Sequence, residues 1–232
     1  MKVEQFFDPI SSTYTYLIVD EATRGALLID PVDTEFELYI AYLNKHRYML
    51  SYVLDTHTHA DHISANGKLR DYTKCLTMIG KESQSTCIDE YLNHGDTVHV
   101  GDISINIMHT PGHTDDSYCF FVEYADQRMV FTGDTLLING TGRTDFQNGD
   151  AATQYASLFD HLLALPDDTI VYPGHDYNGK THSTIAAERR NNPRLQVSTE
   201  MDYVEIMANL NLPNPKFMDI AVPANQACGK RW

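Results

Sequence analysis

Residues 56–62 read Thr-His-Thr-His-Ala-Asp-His, which places three imidazoles and one carboxylate within seven residues. The apolar segment 49–54 that precedes them has the pattern of a buried strand, so we expect the histidines in a loop at its carboxyl end. Such a loop can direct several side chains to one point while the sheet holds it in place. Neutral imidazole and carboxylate are ligands of zinc and iron. The alternative is a polar loop that happens to be rich in histidine, and the partners described next argue against it.

Three later segments repeat the order of an apolar strand, a turn and a residue that can bind a metal. The apolar segments 103–109, 129–131 and 170–172 precede Pro-Gly-His113, Thr-Gly-Asp134 and Pro-Gly-His175. Glycine directly before each of these residues permits a close approach of the backbone. The pattern therefore predicts that seven side chains meet along one sheet edge, namely His57, His59, Asp61, His62, His113, Asp134 and His175.

The remaining sequence predicts strands in both halves with helices between them. The strands are predicted over 13–19, 26–29, 49–54, 77–79, 97–100, 103–109, 118–123, 128–132 and 169–172. The helices are predicted over 34–46, 65–72, 81–91, 151–163 and 183–190. Two sheets covered by helices are the simplest packing of such elements. Pro213, Pro215 and Pro223 favour an extended path for the tail.

Composition narrows the classes of function. A chain of 232 residues with 42% hydrophobic content suits one domain. A net charge of −15 argues against binding to nucleic acid or to anionic membranes, because both need a basic surface. No segment has the roughly 20 apolar residues of a membrane span, and the N-terminus lacks the apolar core of a signal peptide. Four scattered cysteines are expected to be reduced thiols, so we predict a cytoplasmic protein.

The order of the metal-binding residues resembles that of the metallo-β-lactamase superfamily, over about residues 6–175. The resemblance implies an α/β (α+β) protein with an αββα sandwich fold and a metal site at one edge of the two sheets. We expect residues 1–232 to form a single domain of this fold, with an extended proline-containing tail at about 205–232. In this superfamily the seven residues can hold two zinc ions that share the aspartate and activate a water for hydrolysis.

A narrower resemblance links the chain to the persulfide dioxygenases. It rests on Gly-Arg-Thr-Asp-Phe-Gln at 142–147, on Tyr-Pro-Gly-His-Asp-Tyr at 172–177 and on Thr-Asp-Asp-Ser-Tyr at 114–118. Two tail segments, Asn-Leu-Asn-Leu-Pro at 209–213 and Ala-Val-Pro-Ala-Asn at 221–225, are also similar to that family. The resemblance implies oxidation of glutathione persulfide by dioxygen and water to sulfite and glutathione.

The same resemblance implies one iron(II) per chain, with His57, His113 and Asp134 as its ligands. Two histidines and one carboxylate leave three coordination positions open, as oxygen chemistry requires. His59, Asp61, His62 and His175 would then orient ligands and waters through hydrogen bonds, or form a vacant second metal site.

Arg143 and Tyr177 are the candidate substrate-binding residues. Glutathione has two carboxylates, so a cation near the metal is expected, and Arg143 follows Asp134 closely. The alternative for Arg143 is a structural salt bridge, for example with Asp145. Tyr177 could present its hydroxyl to the substrate or to oxygen, or pack under its loop. Relatives more often have arginine where Asn139 stands, so another low-molecular-weight thiol persulfide remains open.

Two other functions remain open on the sequence alone. A glyoxalase II-like thioester hydrolase with two zinc ions would use the same ligands, although such enzymes usually append a larger helical domain than the 57 residues that follow His175. A metal-binding sensor or scaffold without activity is the second alternative. The sequence also leaves the oligomeric state open, with a homodimer among the options.

Overall fold

The computed structural model describes residues 1–213 and 217–229. Within these ranges, two six-stranded sheets face each other. The first contains β1 (Lys2–Asp8), β2 (Thr13–Val19), β3 (Gly25–Ile29), β4 (Met49–Leu54), β5 (Leu76–Gly80) and β6 (Glu90–Leu92), in that order. The second contains β7 (Thr97–Val100), β8 (Ile103–His109), β9 (Tyr118–Tyr124), β10 (Gln127–Gly133), β11 (Ile170–Pro173) and β12 (Ser183–Thr184), with β7 and β12 at its edges. Both sheets are mixed, because β3–β6 and β10–β11 pair in parallel and the other neighbours pair antiparallel.

Helices cover the outer face of each sheet. They are α1 (Phe36–His46), α2 (Asn66–Thr73), α3 (Ala151–Ala156), α4 (Ile185–Asn191), α5 (Glu200–Ala208) and α6 (Met218–Gln226). A short 3-10 turn at Asp33–Glu35 precedes α1, and another at Pro193–Leu195 follows α4. Helix α3 continues as a π-helix over Ser157–Leu162. None of the helices in the described ranges is long and apolar enough to span a membrane.

Alternation of side chains along each strand builds three apolar layers. In β2, Ile18 points between the sheets while Leu17 faces α1 and α2. In β10, Phe131 likewise lies between the sheets while Val130 packs against the helices on the other side. Because successive residues of a strand point to opposite faces, strands that are apolar on both faces require cover on both sides. The predicted αββα metallo-β-lactamase fold is confirmed.

The prediction of an extended tail is wrong for most of its described part. Within the tail predicted at about 205–232, α5 continues to Ala208 and α6 spans Met218–Gln226, with Pro223 inside the helix. Proline disfavours a helix interior, but here buried Ala221, Ala224 and Asn225 attach α6 to the domain. Tertiary packing thus outweighs local propensity. Pro215 and residues 230–232 lie outside the described residues.

Residues 81–91 do not form the predicted helix. Only Glu90–Leu92 is regular, as strand β6, and the rest is irregular. The hydroxyl of Ser83 accepts a hydrogen bond from the backbone of Ser85 at 3.2 Å, which is a local alternative to helix. Strand β1 and helix α5 were not predicted from the sequence.

Two cysteines form a covalent link that the sequence analysis did not foresee. Cys87 and Cys228 are joined by a disulfide across 141 residues of sequence. The expectation that all four cysteines are reduced is therefore wrong for this pair, whereas Cys75 and Cys119 are free and buried. The disulfide attaches the end of α6 to the irregular segment before β6.

Candidate metal centre

The seven candidate residues of the metal site lie in loops at the carboxyl ends of four strands, as the sequence pattern predicted. His57, His59, Asp61 and His62 follow β4, His113 follows β8, Asp134 follows β10 and His175 follows β11. The two sheets meet at this edge, because the backbone N–H of Tyr14 on β2 donates to the carbonyl of Gly174 at 2.8 Å. The loops from both sheets therefore converge on one place.

His57, His113 and Asp134 form the group that best fits a metal ion. One ligand atom from each lies within 4.8 Å of the other two. Nε2 of His113 lies 3.6 Å from Oδ2 of Asp134. Burial opposes the charge of Asp134, but His175, His113 and His57 together hold its pKa below the usual range. An ionised carboxylate and two imidazoles are suitable ligands for a divalent transition metal.

Hydrogen bonds fix which nitrogen of each ring faces the metal position. Nδ1 of His113 donates to the carbonyl of Arg143 at 2.7 Å, so its Nε2 keeps the lone pair. The hydroxyl of Thr56 donates to Asp30 at 2.9 Å and therefore accepts from Nδ1 of His57, which lies 3.0 Å away. Burial and the neighbouring histidines lower the pKa of His57 well below its usual value, so this ring is neutral and can bind a metal.

His175 makes contacts that do not suit a metal ligand. Its Nδ1 lies 2.6 Å from Oδ1 of Asp134 and its Nε2 lies 2.9 Å from Oδ2 of Asp61. Burial opposes protonation, but the two carboxylates raise the pKa of His175 well above its usual value. Both ring nitrogens therefore donate hydrogen bonds, and neither has a free lone pair.

His59, Asp61 and His62 form a second group beside the first, again with one ligand atom each within 4.8 Å of the others. Nδ1 of His59 and Nε2 of His62 are buried and have no hydrogen-bond partner among the described residues. Although burial opposes it, the Asp30 carboxylate at 3.1 Å raises the pKa of His59 to about 9. His59 therefore pairs with Asp30 through Nε2, and its Nδ1 is the nitrogen without a partner among the described residues.

Two glycines permit the close approach that brings the ligands together. A Cβ on Gly142 would lie 2.2 Å from the carbonyl oxygen of Asp134 and 2.7 Å from Nδ1 of His113. A Cβ on Gly174 would lie 2.8 Å from Oδ1 of Asp134. Any other residue at either position would displace a metal-binding side chain or its support.

The metal position opens onto a cavity of about 560 Å³, large enough for a small substrate. His57, His113 and Asp134 line its inner end, and Leu137, Ile138, Phe146, Leu212 and Pro213 supply apolar walls. In the lining that the structure describes, the arginines are Arg143 and Arg194.

The guanidinium of Arg143 is already engaged within the protein. Nε and Nη2 donate to the two oxygens of Asp145 at 2.6 and 2.7 Å, and Nη1 donates to the carbonyl of Pro213 at 2.6 Å. The guanidinium also lies over the ring of Phe146, 4.1 Å from its centre. These contacts favour the structural alternative that the sequence left open.

Tyr177 and Asn139 both line the cavity. The side chain of Tyr177 is 73% exposed, which does not fit packing under its loop, and its ring lies parallel to that of His175. Asn139 has a left-handed backbone with φ of 58°, a conformation that asparagine tolerates better than most residues, and its N–H donates to Glu188.

Three residues that support the site were missed by the sequence analysis. Asp30 follows an apolar strand, so the rule that located the other carboxylates could have found it. Asn225 donates from Nδ2 to the carbonyls of His59 and His62, at 2.9 Å each, across more than 160 residues of sequence. Arg194 follows Asn-Pro in a short turn, and nothing in that pattern suggests a cavity.

Comparison with known proteins agrees with this geometry. The family model of the metallo-beta-lactamase superfamily matches residues 9–175. Human mitochondrial persulfide dioxygenase ETHE1 is 43% identical over 228 residues, which cover 98% of this chain and 88% of the human protein. The chain belongs to the persulfide dioxygenase family. The crystal structure of ETHE1 from Myxococcus xanthus is 49% identical and superposes with a TM-score of 0.95, covering 99% of this chain and 100% of that one.

A relative named for a different activity is less similar to this chain than human ETHE1 is. A probable hydroxyacylglutathione hydrolase of Schizosaccharomyces pombe is 37% identical over 200 residues, which cover 85% of this chain and 74% of the yeast protein. The match to the persulfide dioxygenase family includes the tail that follows residue 175, which the superfamily model does not reach.

Proposed function

We propose that this chain is an iron(II)-dependent dioxygenase that converts glutathione persulfide, or a similar low-molecular-weight thiol persulfide, with dioxygen and water to the thiol and sulfite. The terminal sulfur is oxidised, both atoms of dioxygen are reduced, and water supplies the third oxygen of sulfite. The observation that supports this most directly is the group of His57, His113 and Asp134, which faces an open cavity from one side.

The donor atoms fit a single iron(II). Nε2 of His57, Nε2 of His113 and a carboxylate oxygen of Asp134 would hold the ion from one side. Iron bound there would supply one-electron chemistry and open coordination positions for sulfur and oxygen. Soft and borderline ions such as zinc also bind this donor set, so the identity of the metal is part of the proposal.

The residues around the trio orient it and limit access to a second ion. His175 donates to Oδ1 of Asp134, which leaves Oδ2 as the oxygen directed toward His113. His175 also donates to Asp61, so both belong to a hydrogen-bonded chain rather than to an open metal site. His59 pairs with Asp30 through Nε2, which leaves its Nδ1 without a partner among the described residues. The hydrogen bonds of His175 to Asp134 and Asp61 are the contacts that support one metal per chain.

The cavity walls would position the rest of the substrate. Apolar side chains such as Phe146 and Leu212 exclude water from the region next to the metal. The exposed hydroxyl of Tyr177 has no hydrogen-bond partner among the described residues, so it is available to a substrate or to oxygen. We propose that it donates a hydrogen bond there. The cytoplasmic location and the absence of nucleic-acid or membrane partners stay predictions.

The test is oxygen uptake with glutathione persulfide, measured beside the metal content of anaerobically purified protein. We expect turnover that yields sulfite, with about one iron per chain. Protein that holds two zinc ions, hydrolyses glutathione thioesters and consumes no oxygen would instead be a glyoxalase II-like hydrolase. The group of His59, Asp61 and His62 is the observation that favours this alternative, because it could hold the second metal ion. Failure with every persulfide and thioester would favour the non-enzymatic alternative.

A further inference from the structure

Arg194 differs from Arg143 in having most of its guanidinium unpaired. Nη1 donates to the carbonyl and to the hydroxyl of Thr141. Among the described residues, no partner accepts from its Nε or Nη2, and no carboxylate lies within ion-pair distance. Within the described ranges, Arg24, Arg47 and Arg190 also lack an acidic partner, but they do not line the cavity, whereas Arg194 does.

The environment of Arg194 favours an anion that the protein itself does not supply. The side chain is half-buried in the wall of the 560 Å³ cavity. Burial lowers the pKa of its guanidinium, which means that the charge has lost part of its hydration. A partly desolvated cation is stabilised strongly by a carboxylate, and the planar guanidinium suits two parallel hydrogen bonds.

The backbone holds Arg194 in a fixed position. Its N–H donates to Oδ1 of Asn192 at 3.1 Å, and the buried Asn192 donates in turn to the carbonyl of Gly140 at 2.9 Å. Leu195, the next residue, is buried in the layer between the second sheet and its helices. A binding residue on such a support loses little conformational freedom when a ligand arrives.

Arg194 lines the same cavity as His113 and Asp134, so one small molecule can contact both ends of this set. Nη1 of Arg194 donates a hydrogen bond to Thr141. Nδ1 of His113 donates to the carbonyl of Arg143, which is two residues after Thr141 in the sequence. The cavity measures about 560 Å³, and a tripeptide-sized thiol extends over about 10 Å. A sulfur at the metal and a carboxylate at Arg194 can therefore belong to the same substrate.

We propose that Arg194 binds a carboxylate of the substrate, and that this residue, not Arg143, makes the enzyme prefer thiol persulfides with a carboxylate. This inference rests on the proposed function and extends it to specificity. Arg143 then shapes the cavity wall, and Arg194 provides the positive charge that the sequence predicted at Arg143.

The experiment compares Arg194→Gln with wild type on two substrates. For glutathione persulfide we expect KM to rise about 10- to 100-fold with little change in kcat, which is the effect of losing a charge-assisted hydrogen bond. For a persulfide without a carboxylate, such as that of 2-mercaptoethanol, we expect wild type and variant to have the same KM. Equal losses on both substrates, or no change on glutathione persulfide, would refute the proposal.

Controls separate this inference from the proposed function. Arg190→Gln removes an exposed arginine that bonds only to its own helix, and KM should stay unchanged. Arg194→Lys keeps the positive charge, so its KM for glutathione persulfide should rise less than that of Arg194→Gln. If Arg194→Gln does not fold, Arg194→Lys replaces it in the comparison of the two substrates. Calorimetric binding of glutathione itself gives a readout without turnover. Weaker binding to Arg194→Gln supports the inference even if no persulfide is oxidised, whereas unchanged glutathione binding contradicts it.

Discussion

Nδ1 of His175 lies 2.6 Å from Oδ1 of Asp134, so the metal-binding carboxylate is held by a neighbouring imidazole. The same ring donates to Asp61 through Nε2. The superfamily residues are thus all present, but here the last histidine joins two carboxylates by hydrogen bonds. This arrangement supports the proposal that His175 orients Asp134 and does not itself bind the metal.

His113→Ala should lose most of the bound iron and abolish oxygen uptake, because it removes one of three donors from a site that has few others. Iron content and oxygen consumption of anaerobically purified variant protein measure both effects. His99→Ala, an exposed histidine of β7, is the matched control and should retain both. An active His113→Ala variant with full iron would show that the ligand assignment is wrong.

Asp61→Ala should retain iron, because Asp61 contacts His175 and His62 and is not part of the trio. We expect an iron content within about twofold of wild type, since changes in groups that only orient a ligand weaken metal binding but do not remove a donor. Complete loss of metal, or a fall from two metals to one, would instead support the binuclear hydrolase.

Arg143→Ala should reduce stability by about 1–2 kcal/mol, because the side chain links Asp145 to the carbonyl of Pro213. Any rise in KM should be similar for persulfides with and without a carboxylate. Urea unfolding and steady-state kinetics test the two statements. Arg128→Ala removes two ion pairs at the surface, with Glu123 and Asp168, and should change stability by less than about 1 kcal/mol. A selective effect of Arg143→Ala on carboxylated substrates would restore its role in binding.

Metal-free protein should lose stability as the pH rises from about 6.5 to about 9 through deprotonation of His59. The pKa of His59 is higher in the folded chain than in the unfolded one, so its contribution is complete below the unfolded value and disappears above the folded value. The effect is on the order of 3 kcal/mol. The free energies of unfolding of wild type and His59→Gln, each measured at about pH 6.5 and at about pH 9, test this difference. An equal pH dependence in the two proteins would contradict the Asp30–His59 ion pair.

Cys87→Ser should lower the free energy of unfolding by about 2–4 kcal/mol under oxidising conditions, because the disulfide closes a loop with a sequence separation of 141 residues. In the presence of a thiol reductant, wild type and variant should be equally stable. Free-thiol titration of the unfolded wild-type protein provides the direct check. Four free thiols in protein purified without reductant would show that the link does not form.

The sequence predicted the metal edge well because each ligand follows an apolar strand and a turn. That rule is local, and it placed His57, His113, Asp134 and His175 at strand ends. It applies equally to Asp30, whose strand was recognised but whose side chain was not considered. The αββα layering was predictable for the same reason, since β2 and β10 are apolar on both faces.

The parts that could not be predicted depend on contacts between distant segments. Helix α6 includes Pro223 and is stabilised by the contact of its buried Asn225 with the histidine loop. Local helix propensity does not reveal such a contact. The pairing of Cys87 with Cys228 joins two segments whose spacing says nothing about proximity. The cavity role proposed for Arg194 follows from the observed partners of Arg143 and Arg194, which the sequence does not give.

The contact of Asn225 with the histidine loop gives the C-terminal region a role that its distance in sequence conceals. Its side chain also accepts from the backbone N–H of Ser64 at 2.8 Å, so one amide fixes three points of the segment 59–64. A premature stop codon late in the gene would spare the three proposed metal ligands and the four residues beside them, and would still leave the loop 59–64 without its support. Truncated protein of this kind should be purified with little iron, although its active-site sequence is intact.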